Sequence, residues 1–157
     1  MKNLRTSVLC ACFALISLVT RAQGNDIPVN EPDYNKPRLF TNLPDQVTLN
    51  TDDLANLFGK NVGSATSLKL NNLSTAQFEG QVVSSGTKYE NTMQSLVIRS
   101  TNFSGANLTL TRITNPDGSH TYRGRIISLQ HGDLYELQQQ NGVYSLVKRN
   151  FYDLINE

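Results

Sequence analysis

A mainly β fold, an antiparallel meander of about seven strands with short flanking helices, follows from three features of this 157-residue chain. Beyond residue 63 the apolar residues alternate with polar ones instead of recurring at helical spacing. Val, Ile, Thr and Tyr dominate the alternating runs, and polar turns separate them. Two of those turns, Asn115-Pro116-Asp117-Gly118 and Asn141-Gly142, carry residues that specify hairpins.

The chain opens with a different kind of segment. Lys2 and Arg5 precede an apolar run at residues 8–19, and Thr20-Arg21-Ala22 puts small residues at the two key positions of a cleavage site. Residues 1–22 read as a secretory signal peptide. The run is short of the roughly 20 apolar residues that a membrane helix needs. Cys10 and Cys12 stand near its start, which fits lipid attachment poorly. The expected product begins at Gln23, is exported to the periplasm or beyond the cell, and has no stable membrane insertion. Losing Lys2, Arg5 and Arg21 leaves 11 basic against 13 acidic residues, a formal charge of −2. That balance argues against nucleic acid, which needs a basic face. Both cysteines also leave, so no disulfide, thiol nucleophile or thiolate metal site is expected.

Residues 23–45 hold every proline but Pro116 together with several Asn and Asp, and read as an extended or disordered arm. Residues 46–157 then form a single β-rich domain. Thr51-Asp52-Asp53 followed by Leu54, Leu57 and Phe58 predicts a short helix. Thr51 would cap it, the aspartates suit its positive end, and Gly59 suits a left-handed stop. Strands are expected at 64–70, 76–85, 93–100, 106–114, 120–129, 133–140 and 143–149. Asn150 with Asp153 resembles a capping box, and Phe151, Leu154 and Ile155 form a helical apolar stripe, so a second short helix closes the chain.

The explicit turns set registers. A type I′ turn at Asn141-Gly142 puts Leu137 opposite Leu146 and Tyr135 opposite Lys148. A type I turn at 115–118 with Gly118 at the bulge puts Leu108 opposite Ile126 and Leu110 opposite Gly124. If His131-Gly132 is also a two-residue loop, Gln130 pairs with Asp133 and Ile126 with Leu137. Leu108, Leu110, Tyr122, Ile126, Leu137, Tyr144 and Leu146 then share one face, and a slip of one residue would split them. His131 is therefore expected to be a turn residue at positive φ. The other face carries Arg125, Ile127, Leu129, Leu134 and Val147, which either pack beneath another layer or form the surface that a partner contacts.

Motifs for catalysis are missing from the sequence. It has no HExxH, GxSxG, glycine-rich phosphate loop or calcium-loop spacing, so no catalytic, cofactor-binding or metal-binding residue is assigned and no cofactor is expected. His120 and His131 lie in or beside turns. Arg123 and Arg125 share a strand face, with Arg99 and Arg112 expected nearby, and could take an anionic ligand or an acidic peptide. Charged residues on a strand face also serve simply to keep it solvated.

The runs at 122–127, 133–137 and 142–148 resemble the β-meander found ahead of the catalytic domain in some secreted metalloproteases, where it acts as a propeptide. The resemblance covers about the final third of the chain and rests on hairpin alternation. The meander is expected to stand here without the protease domain that follows it in that family. The resemblance implies a module that binds or inhibits a secreted protein such as a protease. The first expectation is thus an exported, non-catalytic binding module. A small hydrolase using His131 or His120, and a structural surface protein, stand as alternatives.

Overall fold

The computed structural model describes residues 35–70 and 76–151. The fold is mainly β, with eight antiparallel strands in one curled meander sheet and one short helix among these residues. Strand β1 spans Gln46–Leu49, and helix α1 spans Thr51–Leu57. The remaining strands are β2 Ala65–Lys69, β3 Gln77–Lys88, β4 Met93–Ser100, β5 Ala106–Thr114, β6 His120–Ser128, β7 Asp133–Gln140 and β8 Val143–Asn150. Their spatial order is β1-β8-β7-β6-β5-β4-β3-β2, so α1 carries the chain from one edge of the sheet to the other. The expected signal peptide and the closing helix beyond Phe151 lie outside the described residues.

The helix starts one residue earlier in its cap than the sequence reading has it. Asn50, extended at φ −78 and ψ 134, accepts the Asp52 N–H on its side chain at 2.9 Å, while Thr51 is the first helical residue. Both residue types cap well, and only the backbone conformation separates them. Gly59 does adopt the left-handed conformation, at φ 86. Leu54 and Leu57 are buried, and Phe58 packs against the same core.

One face of the sheet, the concave one, lines that core. Leu108, Leu110, Tyr122, Ile126, Leu137, Tyr144 and Leu146 all belong to it, joined by Val47, Leu49, Leu68, Phe78, Leu96 and Ile98. The Tyr144 hydroxyl accepts the Tyr122 N–H at 3.0 Å, and the two rings meet edge to face. Gly124 lies on this face where the curl brings the Thr109 carbonyl and the Leu110 side chain against its Cα, leaving no room for a Cβ.

Both explicit turns form in the expected registers. Leu137 pairs with Leu146 and Tyr135 with Lys148 across Asn141 and Gly142, which sit at φ 50 and 81. Leu108 pairs with Ile126 and Leu110 with Gly124 across a turn in which Gly118 has φ 82. In that turn the Ser119 hydroxyl and then the Ser119 amide donate to Asp117, which holds its carboxyl below the ordinary value.

The third turn differs. Ile126 pairs with Tyr135 and Ser128 with Asp133, two residues away from the register expected for a two-residue loop. Residues 129–132 form the connection, and Gly132 at φ 62, not His131, takes the left-handed conformation. A slip of two leaves every side chain on its expected face, because strand faces repeat with that period.

Candidate functional site

The His131 region is built by the carboxyl end of β6 and the start of β7. Ser128 Oγ lies 2.9 Å from His131 Nδ1, the contact that a nucleophile and its base would make. Ser128, however, is 0 % exposed, so no substrate carbonyl can reach its oxygen. Asp133, 4 % exposed, is turned elsewhere, accepting the Leu39 N–H. His120 stands at the other end of β6, with Nδ1 3.3 Å from Thr114 Oγ1, so the two histidines cannot act together. Among the described residues no group of three or more His, Cys, Asp and Glu side chains converges on a point.

Asp133 instead anchors a strap. Lys36 donates to the Leu129 carbonyl at 3.0 Å and Arg38 to the Gly132 carbonyl at 2.7 Å. Tyr135 donates its hydroxyl to the Pro44 carbonyl, and Lys148 donates to the Leu43 carbonyl at 2.8 Å while lying 3.3 Å from Asp45. Between these ties Phe40 is buried against Phe103 and Tyr135, with ring centroids 5.3 and 5.5 Å away. Burial first, and the charges of Asp45 and Asp133 second, push the Tyr135 phenol up to about 12. The described end of the proline-rich segment is thus packed onto the sheet by side chains from β7 and β8.

The convex face holds the other candidate residues. The pairings Arg125 to Glu136 and Glu136 to Val147 put Arg125 and Val147 in one row. The pairings Ile127 to Leu134 and Leu134 to Arg149 make the next row. Four of the five expected contact residues therefore share this face. Leu129 does not, since it is exposed in the β6–β7 connection outside the strands. Leu134 is also unavailable to a partner as the protein stands. It is 2 % exposed, packed with Phe151 and the half-buried Ile127 in a small second core.

The four arginines separate between the two faces. Arg99, Arg123 and Arg125 are exposed on the convex side, opposite Asn107, Thr111 and Thr109 respectively. Arg112 follows Leu108 and Leu110 on the concave side, where its guanidinium lies 5.1 Å from the Phe58 ring and donates to Gln94 Oε1 at 2.6 Å. Strand alternation requires this, since 112 and 123 point to opposite faces once Thr111 pairs with Arg123. Arg149, not singled out in the sequence, joins the convex face with its Nε 3.5 Å from Glu136 Oε2. The Asn141-Gly142 register already places it opposite Leu134.

A separate open groove of about 830 Å³ lies between α1 and the β2–β3 pair. Its charges, Asp53 and Glu79 against Lys60 and Lys69, are mixed and favour no ligand sign. Among the described residues no helix is long and apolar enough to cross a membrane. Comparison with protein-family models, with curated proteins and with solved structures finds no match in any of the three.

Proposed function

We propose that the protein is an exported, non-catalytic binding module, with the arginine ridge of the convex face as its contact surface and an acidic segment of another exported protein as its partner. One observation supports this reading above the others. Arg99, Arg123 and Arg125 are exposed on one face with no ion pair among the described residues, while Glu136, the carboxylate opposite Arg125, is engaged by Arg149 and Gln138. Guanidinium groups held on a rigid sheet are suited to bidentate capture of carboxylates. Ile127 and Val147, both half-buried, offer apolar area beside the ridge. A secreted protease is the partner class that the metalloprotease-propeptide resemblance suggests, with inhibition or masking as the effect.

The hydrolase reading retains one observation, the Ser128–His131 contact, and the burial of that serine weighs against it. To test the binding reading, capture of a glutamate-rich peptide is compared between the unsubstituted protein and Arg123→Glu/Arg125→Glu. The expected result is a loss of about tenfold or more in affinity per arginine, falling with added salt, at unchanged melting temperature. Equal capture by both proteins would remove the ridge from the account.

A further inference from the structure

Among the described residues, the far half of β3 is an open edge. β2 pairs with β3 only along residues 77–81, and the chain ahead of β2 reaches no further than Val82, which is bonded to Gly63 and Ser64. A bulge between Val82 and Ser84 then turns β3, and residues 84–88 continue with β4 as their only strand neighbour among the described residues, every one of them exposed. The bonds from Thr101 N–H to Glu79 O and from Thr114 N–H to Thr92 O fix the phase of the ladders. Ser84, Gly86 and Lys88 exchange hydrogen bonds with β4, so Ser85 and Thr87 aim their N–H and C=O groups away from the sheet. Two large apolar side chains flank this edge. Tyr89, 72 % exposed, follows Lys88 in a turn where Tyr89, Glu90 and Asn91 all have positive φ, and Val62, 61 % exposed, precedes Gly63 at the other end.

We propose that this edge is a self-association site, at which two copies of the chain pair antiparallel along residues 84–88 about a two-fold axis at Gly86. This register satisfies the outward groups, because Ser85 meets Thr87 of the second copy and Thr87 meets Ser85, giving about four main-chain hydrogen bonds. Gly86 meets Gly86 of the second copy in a non-hydrogen-bonded pair, where strands approach most closely. The absence of a side chain there suits that approach, and Gly86 has open space beyond the Ser95 hydroxyl. Lys88 falls opposite Ser84 of the second copy, so the two ammonium groups lie about 14 Å apart along the strand and do not repel at close range. Tyr89 runs on beside Val83 of the second copy and toward its Val62, and the two-fold axis repeats the contact. One operation therefore covers both exposed apolar side chains. The contact is smaller than the roughly 800 Å² per partner of a standard interface, so the dimer is weak and concentration-dependent. It uses the edge of the sheet and leaves the convex arginine ridge free, so it stands apart from the binding reading above.

Sedimentation equilibrium of the exported protein, purified as its host processes it, tests this over a concentration series. The unsubstituted protein should climb from monomer toward dimer mass. Thr87→Pro, which removes an outward N–H that no strand among the described residues uses, should hold it at monomer mass with its melting temperature unchanged. Tyr89→Ser and Val62→Ser, both surface changes, should each shift the association curve several-fold to higher concentration. Under mild oxidation Gly86→Cys should give a reducible covalent dimer above the background of the unsubstituted protein, whereas Ser84→Cys, placed opposite Lys88 of the second copy, should not. Monomer mass up to about 1 mM would overturn the proposal. So would a dimer that persists in Thr87→Pro, or equal cross-linking by Ser84→Cys, either of which would point to another surface or register. Should Thr87→Pro melt early, the Tyr89 and Val62 variants and the cross-link decide.

Discussion

Leu134→Ala probes how the convex face is closed. Leu134 lies between Ile127 and Arg149 in its row and is covered by Phe151. Truncation removes about three buried carbons, roughly 2.4 kcal/mol of transfer free energy at about 0.8 kcal/mol each. A cavity term is added, and buried Leu→Ala changes span about 2–5 kcal/mol in total. Phe151 is the other buried member of this cluster and Ile127 is only half-buried, so the site can partly collapse. The expected loss is therefore near the lower end, about 2–3 kcal/mol. For a domain of this size that lowers Tm by about 10 °C and shifts the urea midpoint at constant m. Circular dichroism melts and urea titrations read both quantities. A loss under about 1 kcal/mol, or a normal melt combined with loss of acidic-peptide capture, would return Leu134 to the contact surface and refute the second core.

Other residues test the remaining parts of the account. Gly124→Ala forces a Cβ onto the Thr109 carbonyl and should cost about 2–3 kcal/mol in chemical denaturation, and a neutral result would mean that the curl relaxes freely. The Tyr135 phenol stays protonated in the fold up to about 12 but ionises near 10 in the unfolded chain, so its contribution is complete below pH 10 and is lost as pH rises from 10 to 12. Tyr135→Phe should flatten that part of the alkaline stability curve, and identical slopes would show that the shift does not stabilise the fold. A fluorophosphonate probe should leave Ser128 unmodified in the native protein, and an adduct found there by mass spectrometry would establish the hydrolase reading.

The local signals in the sequence translate well where one residue type has one conformational use. Asn141-Gly142 and Asn115-Pro116-Asp117-Gly118 each specify a turn, and the registers counted from them place the concave core residues correctly. His131-Gly132 is less explicit. Glycine alone takes the left-handed position, and the loop spans 129–132, which changes the partners but preserves the faces. β1 is invisible locally because Gln46–Leu49 is too short to show alternation and becomes a strand only through pairing with β8, about a hundred residues later. The burial of Leu134 under Phe151 and the anchoring of Leu39 by Asp133 are likewise long-range contacts. Of the candidate face, Arg125, Ile127 and Val147 follow from strand alternation. The separation of Arg112 from Arg123 follows from the same rule once the 115–118 turn is counted through to β5.

Backbone amide shifts of the protein, followed during titration with a glutamate-rich peptide at low and high salt, test the proposed binding most directly. Shifts confined to Arg99, Thr109, Thr111, Arg123, Arg125 and their neighbours, and abolished by high salt, are the predicted result. Shifts centred on Ser128 and His131, or none on the convex face at peptide concentrations of about 1 mM, would contradict it.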